Sequence, residues 1–132
     1  MVLIIGIPNA GKTTYSKRYT NVVHFDSVLG TNKQMREKVV EMVRNDPHLV
    51  VEGVYDKAID RKNLVEVANT PSKCIWLDTS MDICLKRERA YRKRPEDLVV
   101  LAHNAFEPPT LDEGWDEIII IRGDNNVECI SR

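Results

Sequence analysis

Cysteine is scarce in this chain of 132 residues. The three present, Cys74, Cys84 and Cys129, are odd in number and none pair as C-x-x-C, which excludes a disulfide framework and a paired-thiolate zinc or redox site. Reduced thiols are therefore expected. A surplus of one charge is also missing: 19 Lys and Arg stand against 20 Asp and Glu, a net charge of -1. Bulk charge cannot draw the molecule to a polyanion, and any nucleic-acid contact needs a local patch. No apolar stretch is long enough to span a membrane. Met1-Val2-Leu3-Ile4-Ile5 has no basic leader and runs straight into a glycine turn, so no signal or transit peptide is expected and the location reads as cytoplasmic. Repeats, linkers and low-complexity tracts are lacking, and His24, His48 and His103 show no metal-ligand spacing.

What is present suits one soluble globular domain over residues 1–132, with 42% hydrophobic and 30% charged residues. Short apolar runs recur with helical patterns between them. Val2 to Ile5 reads as a strand buried on both faces, Val22 to Phe25 as a second ending at Asp26, and His48 to Val51 as a third ending at Glu52-Gly53. Cys74 to Leu77 makes a fourth, and the four isoleucines within Glu117 to Ile121 a fifth. Gly123 to Asn126 reads as a turn.

Between the strands, Lys12 to Tyr19 can form a short helix. From Lys33 to Asn45, Met35, Val39, Met42 and Val43 share one helical face. Asp60 is placed to cap a helix burying Leu64, Val67 and Ala68, Ser80 to cap the next, and Pro95 to open another. This alternation predicts an open, mostly parallel five-stranded α/β sheet covered on both faces. In such sheets ligands bind at the carboxyl ends of strands, which marks Gly6, Asp26, Glu52 and Asp78.

Gly6-Ile7-Pro8-Asn9-Ala10-Gly11-Lys12-Thr13 is a complete G-x-x-x-x-G-K-T between a predicted strand and a predicted helix. Its backbone N–H groups would cradle phosphates, so Gly6, Pro8, Asn9, Ala10, Gly11, Lys12, Thr13 and Thr14 are the expected ATP-binding residues. Lys12 would reach the β- and γ-phosphates, and the Thr13 hydroxyl would ligate Mg²⁺. The chain has no N-K-x-D guanine reader and no plain D-x-x-G switch, which counts against a GTPase, and it is too short for a motor ATPase core. Asp26 is expected next door to the phosphate loop, as the base that accepts a hydroxyl proton; this makes a kinase. Glu52 faces the same edge and would hold Mg²⁺ through water or orient the substrate.

Lys86 to Arg94 holds six basic residues and one acid, Glu88, for a local charge of +5. A one-signed run of this kind suits a lid closing on a phosphoryl group, or a nucleic-acid track. Tyr55, Tyr91 and Trp115 could either stack on a base or pack in the core.

Four segments resemble the kinase domain of the polynucleotide 5′-hydroxyl kinases, in particular the kinase half of the kinase-phosphatases. They are Gly6 to Thr14, Val23 to Gly30, Val50 to Gly53, and Phe106-Glu107-Pro108-Pro109-Thr110-Leu111-Asp112-Glu113-Gly114-Trp115 leading into the last apolar strand. The resemblance implies a three-layer P-loop kinase fold with a basic helical lid. It implies Mg²⁺-dependent transfer of the ATP γ-phosphate to the 5′-hydroxyl of DNA or RNA, a single-stranded end being the expected partner. Asp26 would be the general base, Lys12 and the lid arginines Arg87, Arg89 and Arg92 the transition-state cations, and Asp26, Glu52 and Tyr55 the substrate-binding residues.

The sequence departs from that family at three places. Glu52-Gly53-Val54-Tyr55 replaces a D-N-T-N type segment, Phe25 replaces the arginine before the base, and the lid's R-N-x-x-R is only approximated. No D-x-D-G-T phosphatase motif occurs. A kinase acting on a modified base, a nucleoside or a small metabolite stays open, as does an ATP-binding switch without catalysis.

Overall fold

The computed structural model describes residues 1–123 and 126–132. A six-stranded sheet runs β2 (Val22–His24), β3 (Val50–Gly53), β1 (Val2–Ile5), β4 (Lys73–Leu77), β5 (Glu117–Arg122), β6 (Asn126–Ser131). The first five strands are mutually parallel and β6 is antiparallel to β5. The expected fold class therefore stands, with one more strand than expected. β6 is exposed along most of its length, so hydrogen bonding to β5 rather than burial defines it. Asp124 and Asn125 of the expected Gly123–Asn126 turn lie outside the described residues.

The period of two along each strand builds two cores. Leu3, Ile5, Val51, Cys74, Ile118 and Ile120 share one cluster with Val39 and Val43 of α2 (Asn32–Asn45) and Leu64 and Ala68 of α3 (Ala58–Ala68). Ile4, Val50, Ile75 and Leu77 share the other with Cys84 of α4 (Met81–Arg87) and Val99 of α5 (Asp97–Ala105), and Tyr15 of α1 (Lys12–Ser16) packs against it. Helices thus cover both faces of the sheet. The core face of α2 includes Val40 as a partly buried member, whereas Met42 is exposed.

Caps set the helix ends. Thr31 forms a complete capping box with Gln34 at α2, and Ser80 caps α4 by accepting from Ile83 N–H. α3 starts at Ala58, two residues before Asp60, because Glu107 supplies the N-terminal acceptor: its Oε1 takes the Ala58 N–H at 2.9 Å. A carboxylate 49 residues away in sequence does what Asp60 was expected to do. α5 begins at Asp97, after a turn in which the Pro95 carbonyl accepts from Leu98 N–H.

The C-terminal segment of the resemblance is built into the frame. Arg61 and Glu113 are both buried, and the guanidinium donates to both Glu113 oxygens at 2.8 and 2.9 Å. The same guanidinium also donates to the Tyr55 and Glu107 carbonyls, each at 2.7 Å. Trp115 Nε1–H donates to Glu113 at 3.0 Å, and Thr110 and Glu113 form a capping box. Phe106 stacks on Trp76 with ring centroids 5.5 Å apart. This ties the approach to β5 onto α3 and the loop after β3.

Candidate active site

β1 passes directly into the phosphate loop. A Cβ on Gly6 would lie 2.9 Å from the Leu77 carbonyl oxygen and 3.0 Å from the Ala10 Cβ, so only glycine fits where the loop leaves the sheet. Gly11, with φ +102°, turns the chain into α1. Thr79 Oγ1–H donates to the Ala10 carbonyl at 2.8 Å and braces the loop from the end of β4. The result is a cleft of about 650 Å³, lined by Pro8, Asn9, Ala10, Gly11, Lys12, Thr13 and Thr14. Asp26, Glu52, Val54, Arg87, Tyr91, Arg92 and Arg94 line it too. Gly6 shapes the loop without lining the cleft.

Lys12 is buried, and its Nζ donates to the Gly6 and Ile7 carbonyls at 2.8 and 3.0 Å. Burial pulls the ammonium down from 10.5 to about 8, against the attraction of Glu52 and Asp26. Arg92, which lines the same cleft, opposes the ammonium charge by a smaller amount. Phosphate in the cleft would return full charge to the lysine.

The strand order corrects one expectation. β3, not β2, pairs with β1 on that side, so Glu52 is in register with Ile4 and Asp26 stands one strand further out. Asp26 belongs to a short 3₁₀ turn, Phe25–Ser27, and still faces the cleft. His24, opposite Glu52 in register, places Nδ1 at 2.8 Å from Glu52 Oε2 and holds that buried carboxylate.

Two expected site residues stand elsewhere. Tyr55 is buried, packs edge-on against Phe25 at 5.3 Å, and has a hydroxyl with no partner among the described residues. Desolvation pushes its phenol well above the ordinary value. It is a core residue, because the chain turns at φ +41° and sends the ring inward. Arg89 pairs with Glu96 on the exposed side of the lid, at up to 3.0 Å, and does not line the cleft. Of the other aromatics, Trp115 is in the core and Tyr91 is 83% exposed on the cleft wall. Asp78 pairs with Arg122 at 3.2 Å, beside a smaller pocket of about 250 Å³.

The lid holds a residue that composition conceals. Glu88, the one acid in the basic run, is fully buried at the start of a π-helical turn, Glu88–Arg92, where α4 ends. It accepts from Asn9 Nδ2 at 3.1 Å, from the Arg94 backbone N–H at 3.0 Å and from the Arg94 guanidinium at 2.8 Å. Side-chain bonds from Arg94 outweigh burial and hold Glu88 at about 2, well below the usual carboxylate range. Asn9 Nδ2 also donates to the Cys84 carbonyl, and Arg87 Nη1 to the Asn9 carbonyl at 2.8 Å. Phosphate loop and lid are thus joined through Asn9 and Glu88. The signal in the sequence is the lone carboxylate amid six cations, whose burial only the fold reveals.

Thr13, which is exposed, and Glu52, which is buried, both line the cleft. A hydroxyl, a carboxylate and nucleotide phosphates are the hard oxygen donors that Mg²⁺ takes, so these residues fit that ion. Among the described residues no three His, Cys, Asp or Glu side chains converge as a metal cage, and the fit is to an ion carried on the phosphates. No helix is long and apolar enough to cross a membrane.

No family model and no curated protein matches this chain. Solved structures do. A gluconokinase from Sinorhizobium meliloti is 14% identical with a TM-score of 0.71, covering 92% of this chain and 81% of that one. A provisionally assigned kinase from Chloroflexus aurantiacus is 17% identical with a TM-score of 0.60, covering 92% and 86%. At these identities the likeness is one of fold: the chain has the α/β fold of P-loop kinases.

Proposed function

We propose that the chain is an ATP- and Mg²⁺-dependent phosphotransferase acting on a hydroxyl of a small acceptor. The observation that carries this reading is the convergence of Lys12, Asp26, Glu52 and Arg92 on one phosphate-loop cleft. A nucleotide switch needs the loop alone. A buried lysine facing two carboxylates and a lid arginine is an arrangement for moving charge. The fold neighbour named a gluconokinase favours a small acceptor over a nucleic-acid end, and the cleft volume lies in the range of small-ligand sites.

In this reading the loop N–H groups, Lys12 and Arg92 hold the triphosphate and meet the charge on the transferring group. Thr13, together with the phosphates, would hold Mg²⁺, which when bound would neutralise part of that charge. The acceptor oxygen forms a bond to the γ-phosphorus as the bond from that phosphorus to the β–γ bridging oxygen breaks, and ADP leaves. The hydroxyl proton passes to the Asp26 carboxylate. Glu52, fixed by His24, would orient the acceptor or hold the ion through water. The test is label transfer from γ-labelled ATP to a panel of polyols, sugar acids, nucleosides and a 5′-hydroxyl oligonucleotide, with Lys12→Ala as the blank. Label on a small acceptor, absent in the blank, is the expected result; ATP binding without transfer to any member contradicts it.

A second reading, transfer to a polynucleotide 5′-hydroxyl, is favoured by Tyr91, exposed on the cleft wall beside Arg92 where a base could stack. It predicts that the oligonucleotide KM rises steeply with salt, whereas that of a neutral small acceptor does not.

A further inference from the structure

Most cations of the cleft are already engaged. Lys12 is held by two carbonyls, Arg87 by the Asn9 carbonyl and Arg94 by Glu88. Two guanidiniums that line the cleft have no hydrogen-bond or carboxylate partner among the described residues: Arg92 and Arg18. Arg92 comes from the lid turn and lines the cleft beside Lys12, and the proposed mechanism already assigns it to the transferring phosphoryl group. Arg18 comes from a different element, the turn just after α1, and needs another use.

Its geometry is that of a prepared site. The Arg18 guanidinium carbon lies 4.1 Å over the centroid of the Tyr15 ring, and Tyr15 in turn packs near Tyr19 with centroids 6.5 Å apart. Tyr15 leans on the core beneath β1 and β4, so the platform is fixed. Stacking restrains a planar guanidinium without using its N–H edge, which stays free to grip a carboxylate or phosphate with two parallel bonds. Such a cation is poorly used on a neutral polyol. It is well used when the acceptor carries a negative group whose docking fixes where the hydroxyl points.

We propose that Arg18, propped on Tyr15, reads an anionic group on the acceptor, so that the substrate is a hydroxyl compound bearing a carboxylate or a phosphate, with its hydroxyl directed to Asp26. This rests on the phosphotransferase reading above and deepens it by naming the acceptor class. The two anions share one chemistry at the guanidinium fork, and matched probes separate them.

The experiment compares D-gluconate with D-glucitol and thymidine 3′-phosphate with thymidine, using wild type, Arg18→Gln and Arg18→Lys. In wild type the anionic member of at least one pair is the better acceptor, and the pair that responds tells carboxylate from phosphate. Arg18→Gln raises the KM for that member by about 10- to 100-fold, leaves the neutral member unchanged and leaves ATP affinity intact. Arg18→Lys, which restores charge without the fork, recovers part of the loss. Equal KM values for Arg18→Gln and wild type, or a loss of ATP affinity in its place, overturn the proposal.

A second arm titrates the same four compounds into protein saturated with a non-hydrolysable ATP analogue and follows the heat. Arg18-dependent binding of the anionic member without transfer upholds the Arg18 site and contradicts the phosphotransferase reading. Transfer to a neutral member alone does the reverse. Anion binding that ignores Arg18, or no anion binding, overturns the proposal.

Discussion

Glu113 and Glu88 are both buried carboxylates gripped by an arginine, yet the two networks differ in what surrounds them. Arg61 is 0% exposed and Glu113 5%, and all their partners belong to the frame: the Tyr55 and Glu107 carbonyls, the Trp115 indole and the Thr110 turn. Arg94, by contrast, is 37% exposed and lines the cleft, while Glu88 also takes the amide of a phosphate-loop residue. The first network fixes where β5 meets α3. The second joins the groups that would surround a triphosphate. The longest of the four family-like segments, Phe106 to Trp115, serves the first network and contributes nothing to the lining of the phosphate cleft. A likeness concentrated there speaks for fold and leaves the acceptor undetermined, which is why a polynucleotide substrate does not follow from it.

The contrast can be broken most sharply at Arg61. Arg61→Met strands Glu113 as a buried, unpaired charge and should cost about 3–5 kcal/mol of stability by denaturant unfolding. That is a large share of the roughly 5–15 kcal/mol available to a domain. Wild-type stability in this variant would mean the network does not hold the frame. The lid offers a paired test. Arg92→Ala should lower kcat by about 100-fold or more, whereas Arg89→Ala, whose partner Glu96 is on the exposed side, should leave the melting temperature nearly unchanged and kcat within about threefold. Equal losses of kcat would show that the lid acts as undifferentiated charge.

Glu88 gives the contrast a pH signature. Its carboxylate is held at about 2 against an ordinary 4.5, so the folded state favours the ionised form. The stabilisation is complete above about pH 4.5 and is lost as pH falls toward 2. Glu88→Gln should flatten that part of a melting-temperature profile and weaken ATP binding at neutral pH, and an unchanged profile would place the acid sensitivity elsewhere. The smallest effect is expected at Tyr55. Its orphaned hydroxyl costs desolvation without a hydrogen bond, so Tyr55→Phe should be neutral or stabilising by about 1 kcal/mol with every KM unmoved.

These cases also mark how far the sequence could be read. The phosphate loop, the apolar runs of β1 to β5 and the Ser80 cap are local patterns, and local chemistry determines them. The placement of β3 between β2 and β1 is a matter of topology, and with it Glu52 rather than Asp26 became the strand neighbour of the loop. β6 is legible only from its pairing with β5. α3 starts where Glu107 caps it, a tertiary contact no window around Asp60 contains. Within the site, Lys12, Asp26, Glu52, Arg87 and Arg92 converge as their positions at strand ends and in the lid suggest. Tyr55 turned inward, Arg89 turned away, and Glu88, Arg94 and His24 gained their roles from burial and pairing that composition cannot report.

In the proposed mechanism Asp26 serves as the base for phosphoryl transfer, while the phosphate loop and the lid bind ATP. The most direct measurement is the Asp26→Asn variant at saturating ATP, Mg²⁺ and acceptor, with ATP affinity titrated in parallel. Unchanged ATP affinity with a fall in kcat of about 10²- to 10⁴-fold is the expected result. Near wild-type turnover in that variant would contradict it.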